Sequence, residues 1–142
     1  MNRMRKVLIA DDEIKVGQLV KRLIQWDRLG LTCIGLVTDG QTAYEKILSE
    51  SPDIVITDIR MPVLTGLEMI QKASEQGVKC HFIVVSGYKY FDYAQKALKY
   101  GVEDYLLKPI DEDELNRQLQ KIVAEEEQRE DKQQQVDQIE KK

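Results

Sequence analysis

Lys6–Ala10 (KVLIA) is a short apolar run rich in branched residues, and it ends in Asp11, Asp12 and Glu13. A strand-length run followed by acids predicts a strand leading into a helix, because acidic side chains satisfy the free N–H groups of a first turn. From Ile14 to Trp26 the residues Ile14, Val16, Leu19, Val20, Leu23 and Ile24 recur mostly three and four apart. That is the spacing of one helix face, and Gly30 stops the helix. The pattern then repeats as strand Leu31–Val37, a turn at Asp39 and Gly40, helix Thr42–Ser49, and strand Asp53–Thr57 after Pro52. Helix Leu67–Glu75 is closed by Gly77, strand Val78–Ser86 follows, and helix Phe91–Tyr100 is closed by Gly101. Strand Val102–Leu107 and helix Asp111–Val123, led in by acids, complete the series.

Strict alternation with short connections predicts a parallel sheet, since parallel neighbours need crossovers and the crossover helices then cover both faces. The fold class is α/β, a flavodoxin-like (βα)5 doubly wound sheet with strand order about 2-1-3-4-5, whose ligand crevice lies beyond the carboxyl ends of the strands. After Val123 the chain changes to AEEEQREDKQQQVDQIEKK, in which only Val136 and Ile139 are large and apolar. The expected division is a domain over 1–123 and a polar helical linker or tail over 124–142. Continuing the spacing Leu115, Leu119, Ile122 puts Glu126, Arg129, Gln133 and Val136 on the seam, a poor coiled coil, so a solvated helix is expected there. The tail carries no closing cap, as a linker interrupted partway would.

Composition narrows the class. The chain has 142 residues, 42% of them hydrophobic, enough for one domain with a buried core. No apolar run approaches the ~20 residues of a bilayer span, and a soluble cytoplasmic protein is expected. A net charge of −4 argues against this segment gripping a nucleic-acid backbone by itself, so DNA would be bound through another domain. Cys33 and Cys80 have apolar neighbours and no metal-ligand spacing, which reads as buried reduced thiols without a disulfide.

The strands deliver Asp11 and Asp12, Asp58, Ser86 and Lys108 at their carboxyl ends. Taken alone, Asp11 and Asp12 are ordinary helix caps, and a lysine at a strand end is an ordinary surface residue. Three carboxylates on one rim repel each other unless a cation sits among them, and Mg²⁺ binds through a few carboxylates while leaving positions for phosphate oxygens. No His or Cys cluster suggests zinc, and His81 reads as an ordinary surface or packing residue. With Mg²⁺ in place Asp58 becomes a credible nucleophile for an acyl phosphate, and Lys108 a second positive charge for the phosphoryl oxygens.

The segments VLIADDE, DIVITDIRMPVLTGLEMI and SGYKYFDYAQKALKYGVEDYLLKPID together resemble bacterial two-component response-regulator receiver domains, over about Lys6 to Val123. The resemblance implies that Asp58 is the phosphoacceptor and that Asp12, Asp58 and the Arg60 backbone carbonyl hold Mg²⁺ (Mn²⁺ in its place). Asp11 would assist through water, with Glu13 nearby. It implies that Ser86 moves to the phosphoryl group, that Tyr105 turns inward, and that Lys108 pairs with the phosphoryl oxygens before a cis bond to Pro109. Absent that pattern, Ser86 and Tyr105 read as a strand-end hydroxyl and a half-buried aromatic. Gly87 stands where many receivers have Ala, and Arg60 and Tyr88 would flank the phosphate. Trp26 with LGLTCIG, and SGYKYFDYAQKAL, resemble receivers that precede AraC-type helix-turn-helix DNA-binding domains. A sensor histidine kinase is the implied partner. The implied response moves the face made by Phe91–Tyr100, Val102–Leu107 and Asp111–Val123, and a homodimer through that face or the C-terminal helix would pair two DNA-binding heads.

Three other readings compete. A hydrolase with an aspartyl-phosphate intermediate is expected to carry a second acid two residues after the nucleophile, where this chain has Arg60. A nucleotide or flavin module would need a glycine-rich loop after the first strand, where Asp11 and Asp12 stand. A receiver that has lost phosphorylation would serve as a binding scaffold, against which the intact acid, hydroxyl and lysine set argues.

Overall fold

The computed structural model describes residues 3–87 and 102–140. The expected helix Phe91–Tyr100, and Tyr88, lie outside the described residues. Five strands, β1 (Arg5–Ala10), β2 (Leu31–Val37), β3 (Ile54–Asp58), β4 (His81–Ser86) and β5 (Val102–Leu107), form one parallel sheet in the order β2-β1-β3-β4-β5. The predicted doubly wound, flavodoxin-like architecture and strand order are therefore observed. The described helices are α1 (Ile14–Leu23), α2 (Trp26–Leu29), α3 (Gly40–Glu50), α4 (Gly66–Glu75) and α5 (Glu112–Glu140).

The apolar runs become strands because both faces of the sheet are covered. Leu8, Ala10, Val55, Phe82 and Val84 face one core with Ala43, Ile47, Met69, Ile70 and Ala73 of α3 and α4. Their neighbours Val7, Ile9, Ile54, Ile56, Ile83 and Val85 face the other, with Val20 of α1 and Leu115, Leu119, Ile122 and Val123 of α5. Successive side chains point to opposite faces, so a strand buried on both sides reads as continuous hydrophobicity.

The structure departs from the sequence expectation in three elements. First, α1 ends at Leu23, and Ile24 is extended before the short α2, which closes on Gly30 at φ 67°. Asn116 of α5 reaches the break: its Oδ1 accepts from the Gln25 N–H at 2.8 Å and its Nδ2 donates to the Leu23 carbonyl at 2.8 Å. Those bonds replace ones a continuous helix would have made. Second, β4 begins at His81 and not at Val78, because β3 begins at Ile54 and offers its first partner there. Third, α5 continues through Glu140 as the helical extension expected, but Glu126, on the expected seam, is only 6% exposed. The residues 131–137 are exposed, as a polar helix predicts.

The loops at the carboxyl ends of the strands are shaped by local chemistry. Asp39 caps α3 by accepting from the Thr42 N–H, and Thr65 caps α4 in a reciprocal box with Glu68. Gly66 opens α4 against the strand before it, where a Cβ would lie 2.0 Å from the Asp58 carbonyl oxygen. Only glycine permits that approach. The Lys108–Pro109 bond is cis, as the resemblance implies.

Candidate functional site

Asp11 and Asp12 follow β1, Asp58 and Ser86 end β3 and β4, and Lys108 follows β5, so parallel pairing delivers all five to one rim. The carboxylates of Asp11, Asp12 and Asp58 each offer an oxygen within 4.8 Å of the others. Asp58 is 6% exposed and Asp11 5%, whereas Asp12 faces solvent. Lys108 Nζ lies 2.9 Å from Asp58 Oδ2 and 3.3 Å from Asp11 Oδ2. The Arg60 N–H donates to Asp58 Oδ1 at 3.3 Å, and the Glu13 N–H donates to Asp11 Oδ1 at 2.9 Å.

Asp12, Glu13, Asp58, Arg60, Ser86, Gly87 and Lys108 line an open cleft of about 410 Å³. Ser86 is fully buried at the edge of this cleft, and among the described residues no partner within hydrogen-bond geometry meets its Oγ. Tyr105 is half-buried, and its hydroxyl donates to the Gly87 carbonyl at 3.1 Å. Pro109 is exposed beyond the cis bond.

The electrostatics follow from burial and charge. Burial, then the neighbouring charge of Asp58, pushes the Asp11 carboxyl up to about 6, although the Glu13 N–H and Lys108 pull the other way. Burial works against the Lys108 ammonium, but the hydrogen bond and charge of Asp58, then Asp11, outweigh it and raise its pKa. A cluster in which burial and a like charge oppose ionisation of one acid and one lysine is shared between two carboxylates is short of positive charge. It fits a hard divalent cation: the donors are oxygens, and Asp12 and the cleft stay open to solvent and to further oxygen ligands.

Sequence reasoning located every member of this rim but not the groups that shape it. The Thr57 hydroxyl donates to the Asp58 carbonyl at 2.9 Å, and Gly66 packs on that same carbonyl. The reciprocal cap of Thr65 and Glu68 was signalled by the spacing T-x-x-E. His81, taken as an ordinary residue, pairs with Glu126 from 45 positions away. No spacing in the chain announces that contact.

Residues 7–120 match the family model of the response regulator receiver domain. The chain belongs to that family. It is 46% identical over 122 residues to the uncharacterized transcriptional regulatory protein YesN of Bacillus subtilis (strain 168), covering 86% of this chain and 33% of YesN. It is 35% identical over 120 residues to the transcriptional regulatory protein HptR of Staphylococcus aureus (strain NCTC 8325 / PS 47), covering 84% of this chain and 47% of HptR. The chain thus spans about a third to a half of the curated relatives it matches. Among solved structures, the receiver domain of AraT, a response regulator from Geobacillus stearothermophilus, superposes with a TM-score of 0.85 at 36% identity, covering 89% of this chain and 98% of that one. A two-component transcriptional regulator AraC from Clostridium phytofermentans superposes with a TM-score of 0.72 at 30% identity, covering 84% of this chain and 96% of that one. These relatives agree with the AraC-associated subgroup read from the sequence. No helix among the described residues is long and apolar enough to cross a membrane.

Proposed function

We propose that this receiver domain is a phosphorylation switch in which Asp58 takes a phosphoryl group from the phosphohistidine of a sensor kinase. The observation that carries the reading is Lys108 Nζ at 2.9 Å from Asp58 Oδ2 within a triad of carboxylates. An Asp58 oxygen attacks phosphorus in line, the bond from phosphorus to the histidine nitrogen breaks, and an acyl phosphate forms. Asp12, Asp58 and the Arg60 carbonyl would hold Mg²⁺, with Asp11 acting through water, and the bound ion would neutralise the carboxylates and the transferring phosphoryl oxygens. Lys108 then exchanges its contact with Asp58 for one with a phosphoryl oxygen, and Ser86 donates its hydroxyl to another. Tyr105 then gives up its bond to the Gly87 carbonyl and turns toward the space Ser86 leaves.

The domain assists its own phosphorylation and dephosphorylation but turns over no external substrate. Its output is a changed surface on the side of β5 and α5. The names of YesN, HptR and the AraC regulator favour a cytoplasmic transcriptional role, exercised through a DNA-binding domain outside this chain and helped by homodimerisation. Incubation with acetyl phosphate and Mg²⁺, followed by intact-protein mass, tests the reading. One labile phosphoryl adduct is expected, lost in Asp58→Asn and on chelation by EDTA. No adduct under conditions that label another receiver would leave the scaffold reading in its place.

A further inference from the structure

At the opposite end of the strands from the acid cluster, α5 is held to the sheet by charge. Its apolar seam ends at Ile122 and Val123, and no large apolar residue follows on it until Val136, which is 47% exposed. Nevertheless Glu126 is only 6% exposed. Its Oε1 lies 2.5 Å from His81 Nε2, and its Oε2 accepts from Arg129 at 2.6 Å. One turn on, Glu130 Oε2 accepts from Arg5 at 3.0 Å, and Arg3 Nε approaches Glu130 Oε1 at 3.9 Å.

Arg5 and His81 are the first residues of β1 and β4. By strand alternation they continue the rows Val7, Ile9 and Ile83, Val85 that face α5. The last row beneath the helix is thus an arginine and a histidine where the rows before it are aliphatic. Arg5 is 1% exposed, and its Nε has no hydrogen-bond partner among the described residues.

We infer that Arg5 and His81 form with Glu126 and Glu130 an ionic latch that opens independently of the apolar seam and sets the direction in which the last turns of α5 leave the domain. Buried ion pairs hold no advantage in stability over well-packed apolar residues, and fixing register or allowing a switch is their best-attested use. Here the latch is also within reach of water and ions. Arg3, His81, Glu126, Arg129 and Glu130 border an open groove of about 730 Å³, which Cys80 and Asp53 line from the other side. Salt entering that groove screens the exposed charges of Arg3, Arg129 and Glu130, the buried Glu126 less, and leaves the apolar seam untouched. With the latch closed, the helix is fixed to Glu130 and only the exposed turns from Asp131 onward project; with it open, the fixed part ends at Val123.

Amide hydrogen exchange on the full chain, read by mass spectrometry, tests the inference. In the wild type at low salt, amides of 124–130 should be more protected than those of 131–137. Glu126→Gln, which keeps shape but removes charge, should cut protection of 124–130 roughly tenfold and leave 115–123 unchanged, with His81→Gln acting in the same direction. About 1 M salt, with a screening length of ~3 Å, should produce a smaller loss in the same segment of the wild type and little further loss in Glu126→Gln. Wild-type 124–130 exchanging as fast as 131–137, insensitivity to salt, or a loss spread equally over 115–123 would each overturn the latch.

Discussion

The Lys108 ammonium stands 2.9 Å from Asp58 Oδ2, joining the ends of β5 and β3 across 50 residues of sequence. In the proposed switch the lysine offsets the crowded acids before transfer, and the same ammonium would meet the transferred charge after it. Lys108→Ala should fold, because the side chain is at the rim, yet slow phosphoryl transfer from acetyl phosphate by roughly a hundredfold, as loss of one oriented donor to developing charge does elsewhere. Lys108→Arg should recover part of that rate. Adduct formation followed by intact mass over time measures both, and an unchanged rate in Lys108→Ala would remove the lysine from the mechanism.

Asp11 carries a cost that a cation would relieve. Burial and the charge of Asp58 raise its carboxyl from 3.8 to about 6. Between those values the folded state binds more protons than the unfolded chain, so stability falls as pH rises through about 4 to 6 and stays reduced above. Asp11→Asn should remove that slope and stabilise the metal-free protein at neutral pH by about 1–3 kcal/mol. Mg²⁺ should raise the wild-type melting temperature more than that of the variant. Urea midpoints across pH, with and without Mg²⁺, give both results.

At the opposite end of the sheet the signs reverse. Burial opposes ionisation of Glu126, but the hydrogen bond and charge of His81, then Arg129, outweigh it and hold the carboxyl below its ordinary value. For Asp53 burial is likewise outweighed by Arg3, by the Lys6 N–H and by the charge of Arg5. A lowered carboxyl contributes stability that is fully present above its unfolded value and lost as pH falls through its folded one. Glu126→Gln and Asp53→Asn should therefore each lose on the order of 1 kcal/mol at neutral pH, a difference that shrinks as acid protonates the wild-type carboxylates. Denaturant titrations from neutral to acid pH decide it.

Much of this was legible in the chain because both-face burial forces unbroken apolar runs, and parallel pairing of those runs fixes which residues share a rim. Asp11, Asp12, Asp58, Ser86 and Lys108 could be placed together from topology alone. What escaped depends on partners distant in sequence. The break after Leu23 rests on Asn116, and the burial of Glu126 rests on His81, neither of which alters any local periodicity. The tight packing of Gly66 on the Asp58 carbonyl likewise exists only in the folded chain.

That packing makes Gly66 a sensitive position. A Cβ there would lie 2.0 Å from the Asp58 carbonyl oxygen and 3.0 Å from its carbon, and backbone cannot yield as a flexible side chain would. Gly66→Ala should cost about 2–4 kcal/mol and slow phosphorylation as well, since relief of the clash displaces Asp58. Thermal melts and adduct formation on the same sample would show the two losses together.

Val63, in the same loop, is a β-branched residue at φ 70° and 83% exposed. No packing rewards its left-handed backbone. Val63→Asn, a residue that tolerates this conformation, should raise stability by about 1 kcal/mol in denaturant titrations.

The most direct test of the central claim is chemical mapping of the phosphoryl group. Borohydride reduces an aspartyl phosphate to homoserine, so treating the acetyl phosphate and Mg²⁺ reaction with borohydride and sequencing the peptides by mass spectrometry reads the site itself. The account predicts homoserine at position 58, absent without Mg²⁺. Reduction at Asp11 or Asp12 instead, or at no carboxylate while a control receiver is labelled, would contradict it.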